Sequence, residues 1–197
     1  MFGVFWLEIK DQNSNTKSDQ AHSQLWDKID RFLDSKQLIL ISNRGPIEYH
    51  LESDGSLKPY RGSGGVVTAL SGLTSRVNFT WIASAIGDGD RKIAQNQNSA
   101  IHSPLQDQNV SVRYIVSSRR TYHKYYNIIC NPLLWFLQHY MWSSAYTPRV
   151  DSHVYDAWEN GYISVNQQFA DAAIEEADPK APQLLVMIHD YQLYLVP

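Results

Sequence analysis

The sequence predicts an α/β fold, a mostly parallel sheet with flanking helices, on three observations. Two continuous apolar runs, Leu38-Ile39-Leu40-Ile41 and Leu184-Leu185-Val186-Met187-Ile188, are too short for helices and do not alternate with polar residues. Such runs belong to strands buried on both faces. Between them, Trp158, Tyr162, Val165, Phe169 and Ala173 follow the spacing of a helix with one apolar side. Strand-like and helix-like segments also alternate along the chain, the order that builds a parallel sheet through crossover connections. The length of 197 residues and the hydrophobic fraction of 43% suit one well-packed domain, with or without a tail.

The elements follow in order. Residues 10–23 are polar and read as a disordered lead-in. Gln24 to Asp34 can form a short amphipathic helix carrying Leu25, Trp26, Ile29, Phe32 and Leu33. Residues 1–37 are thus expected to be an amino-terminal extension, partly disordered, ahead of a folded unit at 38–197. Ser42-Asn43-Arg44-Gly45-Pro46 ends the first strand, and Asp54-Gly55 marks a hairpin turn that needs positive φ. Gly62-Ser63-Gly64-Gly65 opens a helix from Val66 to Leu73. Thr80 to Ala83 and Val110 to Val116 read as strands, and the polar segment from Gly87 to Ser103 as a surface loop. Tyr126 to Trp142 reads as a helix with a start or kink at Pro132. Val154 to Ala177 forms the long helix before the last strand.

Composition excludes several classes of function. Net charge is −3, and no block of Lys and Arg offers a nucleic-acid surface. The single cysteine, Cys130, rules out an intrachain disulfide. No apolar run reaches the length of a membrane span. Met1 to Leu7 lacks the basic lead and cleavage site of a secretory signal, so a cytoplasmic location is expected. Six Trp and twelve Tyr are a high aromatic load, suited to core packing and to stacking on sugar rings.

Three places carry candidate chemistry. Glycines at the head of a helix let a ligand reach free backbone N–H groups, and Gly64 and Gly65 fit that use, although no Walker loop or full dinucleotide fingerprint is present. A plain flexible turn is the simpler reading of the glycines alone. Arg44 follows the first buried strand, where its guanidinium can clamp a phosphate or merely face solvent. His189-Asp190 ends the last strand, where a carboxylate can accept hydrogen bonds from sugar hydroxyls or cap the next turn. No nucleophile motif and no zinc-binding histidine pattern stands out.

Taken in series, Ile41-Ser42-Asn43-Arg44, Gly64-Gly65, Tyr125-Tyr126-Asn127 with Trp135 nine residues past Tyr126, and His189-Asp190-Tyr191-Gln192-Leu193 resemble the amino-terminal half of glycosyltransferase family 20, the trehalose-6-phosphate synthase family. The resemblance covers about residues 38 to 197. It implies a Rossmann-like amino-terminal lobe of a two-lobed GT-B glycosyltransferase. Such enzymes move glucose from UDP- or GDP-glucose to glucose 6-phosphate with retention at the anomeric carbon, making trehalose 6-phosphate. No cofactor or metal is implied beyond the nucleotide-sugar co-substrate. The implied partners are glucose 6-phosphate and the nucleotide sugar, with no nucleic acid and no membrane, and a homo-oligomer at full length fits the family.

By the same resemblance, Arg44, Tyr126 and Trp135 surround the acceptor's phosphate and Asp190 binds acceptor hydroxyls. Gly64 and Gly65 belong to a loop that closes on the donor. Catalytic residues are not assigned. The carboxyl-terminal lobe, expected to hold most of the nucleotide-sugar site, does not lie within these 197 residues, so this acceptor-side half is not expected to turn over alone. Two departures bear on the acceptor. Trp81-Ile82-Ala83-Ser84 stands where the family has W-x-G-W, and Gln192 where it has histidine in H-D-Y-H-L. Both are similar to the validoxylamine phosphate synthases, relatives that use another phosphorylated acceptor. A non-catalytic sugar-phosphate-binding piece is the remaining alternative.

Overall fold

The computed structural model describes residues 12–95, 100–105, 108–141 and 149–197. Helix α1 runs Gln12–Leu33 and leads into strand β1, Lys36–Ile41. The hairpin β2, Ile47–Leu51, and β3, Leu57–Arg61, follows, then helix α2, Gly65–Thr74, and strand β4, Phe79–Ser84. Helix α3 is Asp88–Gln95, β5 is Ile101–His102 and β6 is Val110–Ile115. A long helix, α4, joins Arg119–Tyr122, a wide-turned π-type stretch His123–Trp135, and a last turn Phe136–Gln138. Helix α5 joins Ser152–Ala157, a second wide stretch Trp158–Ile163, and Ser164–Glu176. Strand β7, Gln183–Ile188, and a 3-10 turn, Tyr191–Leu193, complete the order.

The central sheet has the order β5-β6-β4-β1-β7, and β2 with β3 forms a separate antiparallel ribbon. β6, β4, β1 and β7 are mutually parallel, while β5 pairs antiparallel with β6 at the edge. β1 is buried on both faces. Ile39 and Ile41 pack with Tyr125, Phe169 and Val165 of α4 and α5, and Leu38 and Leu40 pack with Val67 of α2 and Trp81. Residues 38–41 are at most 2% exposed. Each such side chain favours the fold by about 1.5–3 kcal/mol over its exposed state. The α/β class with a mostly parallel sheet is thus present as expected.

The chain crosses from β1 to β4 and β6 on one side, then returns to place β7 on the other side of β1. That reversal makes the carboxyl ends of β1 and β7 a topological switch point, where open α/β sheets hold ligands in a crevice.

Several expectations are corrected. The lead-in expected to be disordered is helical from Gln12 onward, while residues 10 and 11 lie outside the described segment. The amphipathic part supplies the nucleus, and a stretch with no proline or glycine lets helix propagate from it at little cost. Trp26 anchors this helix, its ring 4.6 Å from the guanidinium of Arg76 and against Gly72 of α2. Residues 87–103 are not simply a loop, for they contain α3 and β5. There the buried Asp90 carboxylate accepts the backbone N–H groups of Tyr49, Ile86 and Gly87, and so ties α3 to the hairpin. A polar segment therefore folds around an internal anion, which hydrophobic periodicity does not register.

α4 begins at Arg119, not at Tyr126, because Ser118 accepts the N–H of Thr121 as its cap. Pro132 does not start the helix but lies within its wide-turned stretch. The expected helix end at Trp142 falls outside the described residues. Among the described residues, no helix is long and apolar enough to cross a membrane.

Candidate functional site

A cavity of about 180 Å³ lies at the switch point and gathers residues from four separate stretches of chain. From the end of β1 come Ser42, Asn43 and Arg44; from α2 come Gly64, Gly65, Val66 and Val67; Tyr126 comes from α4, and Asp190 and Gln192 from the turn after β7.

The end of β1 is built around Ser42. Its N–H bonds to the carbonyl of Ile82, its hydroxyl accepts the indole N–H of Trp81 at 2.8 Å, and it donates to the carbonyl of Arg44 at 2.6 Å. This fixes the turn that sends Arg44 out of the sheet. The Arg44 guanidinium is about half exposed, with Nη1 3.4 Å from Glu48 and 3.3 Å from the hydroxyl of Ser63. Glu48 also accepts from the backbone and the hydroxyl of Ser63. An anion entering the cavity therefore competes with Glu48 for Arg44, and screening by solvent keeps that exposed pair weak.

α2 starts without a side-chain cap. Its N-cap, Gly64, has φ 130° and ψ 161°, a conformation open in practice only to glycine. Gly62 is required for another reason: a Cβ there would stand 2.0 Å from the carbonyl oxygen of Gly45. The loop thus brings the uncapped N–H groups and the positive end of α2 up to the cavity, beside Arg44. A cation and a helix N-terminus facing one small space make a place for an anion.

Asp190 stands opposite on the turn after β7, with φ 79° and ψ 163°. A residue other than glycine rarely adopts that conformation, so the surrounding turn imposes it. Its carboxylate accepts the N–H of Tyr191 at 2.9 Å and its carbonyl that of Leu193, which hold the turn. Next to it, the Nε2 of His189 is buried without a hydrogen-bond partner among the described residues, while the His189 backbone N–H extends the β1–β7 pairing by bonding to Ile41.

Arg44, Gly64, Gly65, Tyr126 and Asp190 are therefore brought together. Trp135 is not in this cavity. It lines a broader open groove of about 560 Å³ with Pro132, Phe136 and Tyr191, which meets the cavity at Tyr126. The Trp135 ring lies 4.3 Å from that of His139 and 5.3 Å from that of Phe136. The two glycines share one cavity with Arg44, so the structure draws no boundary between the residues expected on the acceptor side and those expected on the donor side.

Sequence reasoning missed Tyr122. Its ring stacks on Tyr126 at 5.7 Å and 15°, and its hydroxyl meets Asn43. Burial pushes its phenol up to about 12, partly offset by the hydrogen bond to Asn43. The available signal was the four-residue spacing of Tyr122 and Tyr126 on one helix face. Ser84, singled out as a departure, is buried and reaches the cavity only through Asn43, whose side-chain oxygen accepts its hydroxyl at 3.0 Å. Gln192 is buried in the cavity wall, and its carbonyl accepts the amide of Asn166. Cys130 is buried and its thiol pushed well up by desolvation, so it offers no nucleophile. No group of three or more His, Cys, Asp or Glu placed to hold a metal occurs among the described residues.

The doubly wound sheet and its switch-point crevice define the class, a Rossmann-like α/β domain with an anion-receptive ligand cavity. Within that class, the sequence profile described as Glycosyltransferase family 20 matches residues 36–197, and the chain belongs to that family. It is 33% identical over 165 residues to the UDP-forming alpha,alpha-trehalose-phosphate synthase A of Dictyostelium discoideum, a match covering 83% of this chain and 20% of that protein. It is 30% identical over 159 residues to the trehalose-6-phosphate synthase of Mycolicibacterium vanbaalenii, covering 81% of this chain and 30% of that one. A crystal structure of a UDP-forming alpha,alpha-trehalose-phosphate synthase from Burkholderia vietnamiensis shares the fold, with a TM-score of 0.50 and 21% identity over 80% of this chain and 29% of that chain. The chain thus spans between a fifth and a third of the length of these relatives.

Proposed function

We propose that the switch-point cavity binds the phosphorylated acceptor sugar of a retaining glucosyl transfer, with glucose 6-phosphate as acceptor and UDP- or GDP-glucose as donor. The product is then trehalose 6-phosphate. The observation that carries the reading is the convergence of Arg44, the uncapped start of α2 and Asp190 on one small cavity. The guanidinium suits the acceptor's phosphate and the carboxylate opposite suits its hydroxyls, while the helix N-terminus beside them suits the donor's diphosphate. The names of the relatives, a UDP-forming alpha,alpha-trehalose-phosphate synthase and a trehalose-6-phosphate synthase, support that product. Arg44, Tyr126 and Asp190 hold the acceptor in this reading, Trp135 closes the adjoining groove, and Gly64 and Gly65 leave the backbone open to a diphosphate. The chemistry depends on positioning two substrates and stabilising charge on the leaving phosphate, with no metal or cofactor.

Calorimetric titration of the 197-residue chain with glucose 6-phosphate tests the acceptor half. Saturable binding is expected, and Arg44→Ala should weaken it by at least about tenfold, the effect of losing one charge-assisted hydrogen bond. No binding, or binding indifferent to Arg44→Ala, would sink the reading. Ser84 and Gln192 favour a second reading, a relative using a different phosphorylated acceptor such as an amino-cyclitol phosphate. Tighter binding of that compound than of glucose 6-phosphate, in the same titration, would select it.

A further inference from the structure

Asn43 lies in the wall of the cavity at 6% exposure, and the hydrogen-bonding capacity of its side chain is almost fully used inside the protein. A carboxamide has two N–H donors and one oxygen with two lone pairs. The oxygen accepts the hydroxyls of Ser84 at 3.0 Å and Tyr125 at 3.3 Å, with the hydroxyl of Tyr122 a longer 3.4 Å away. One N–H goes to the hydroxyl of Tyr122 at 3.1 Å. One N–H has no partner among the described residues, and Asn43 lines the cavity together with Arg44 and Tyr126.

The three partners are themselves held firmly. Ser84 is 5% exposed at the end of β4, and its backbone N–H also bonds to the Asn43 carbonyl at 3.1 Å. It therefore grips Asn43 through main chain and side chain at once. Tyr125 is fully buried, and the Tyr122 ring lies edge-on to Tyr125 at 5.6 Å. Asn43 is thus the point where β1, β4 and α4 meet behind the cavity.

We propose that Asn43 is a further binding residue, donating its remaining N–H to the oxyanion held by Arg44, and that Ser84 is the positioning residue that sets its carboxamide. Through Tyr122, the same carboxamide sets the ring that backs Tyr126. The inference rests on the sugar-phosphate reading of the cavity, and it adds a neutral donor to the cation and the helix N-terminus. A hydroxyl at position 84 is thereby tied to ligand affinity, although it touches no ligand.

The test is a titration of the 197-residue chain with glucose 6-phosphate and, separately, with inorganic phosphate. Ser84→Ala should weaken both by the same factor, about three- to tenfold, as for one neutral hydrogen bond. The variant must still unfold in a single cooperative thermal transition, and Ser84→Thr should restore affinity. Equal affinity in a folded Ser84→Ala chain overturns the proposal.

Should that variant fail to fold, the unmodified chain still decides. In 15N–1H spectra the Asn43 side-chain amide must shift as phosphate saturates, and an unmoved resonance overturns the assignment. A chain that binds inorganic phosphate but not glucose 6-phosphate overturns the sugar-phosphate reading and lets the phosphate series judge Asn43. A chain that binds neither overturns both.

Discussion

At the scale of single residues, Asp190 combines a site position with a backbone that only glycine adopts freely, φ 79° and ψ 163°. Such a conformation costs about 1–3 kcal/mol in a residue with a Cβ. Keeping an aspartate there exchanges stability for a carboxylate in the cavity. Asp190→Gly should therefore raise the free energy of urea unfolding by about 1 kcal/mol while weakening glucose 6-phosphate binding. Chemical denaturation and calorimetry on the same samples check both signs, and a variant that is less stable would refute the strain argument. Asp190 was recognisable as a strand-end carboxylate with a hydroxyl-binding chemistry. Its strain was not, because φ depends on how the turn after β7 is tied to Ile41 and Tyr162.

At the scale of elements, the union of α3 with the β2–β3 hairpin turns on the buried carboxylate of Asp90. Burial holds this carboxyl above the usual 3.8, opposed by the N–H bonds from Tyr49, Gly87 and Ile86 and reinforced by the charge of Glu48. A raised folded-state value means that the folded chain binds the proton more tightly than the unfolded one. The associated stability is fully present below 3.8 and is lost as pH rises through the folded value. The stability advantage of the parent over Asp90→Ala should therefore shrink as pH climbs from below 3.8. Urea midpoints across that window measure it, and an advantage that grows with pH would contradict the burial argument. Asp88 and Asp90 read from sequence as surface charges, since nothing in a polar stretch foretells which carboxylate the hairpin will cover.

At the scale of the whole molecule, β7 is an edge strand of the central sheet among the described residues. Leu184 is 46% exposed and Val186 36%, with Ile174 of α5 at 74%. An unpaired edge bearing apolar side chains is a template for pairing with another chain. The 197-residue chain should self-associate as concentration rises, and Val186→Lys should suppress that association. Sedimentation velocity over a concentration series reads both, and a strictly monomeric parent would refute it. The same geometry has a functional side, because the crevice exists only where the sheet order reverses between β1 and β7, bringing residues 42–44 and 190–192 side by side.

The sequence alone determined the α/β class, the buried β1, the order of the motifs and five of the cavity's residues. The class and the buried strand follow from apolar run length and helical period. Arg44, Gly64, Gly65 and Asp190 follow from the chemistry of arginine, glycine and aspartate at strand and helix ends. Tyr126 and the order of the motifs rest on the family resemblance. Tertiary structure alone decided that Gly64 and Gly65 share one cavity with Arg44 and that Trp135 stands across Tyr126 in a separate groove. It also decided that residues 87–95 fold around Asp90, and that Asn43 gathers Ser84, Tyr122 and Tyr125. The contacts of Asn43 join positions 41 to 82 residues apart, and their existence depends on sheet register and helix placement. Register and placement are set by the packing of the whole core, which no local pattern in the chain encodes.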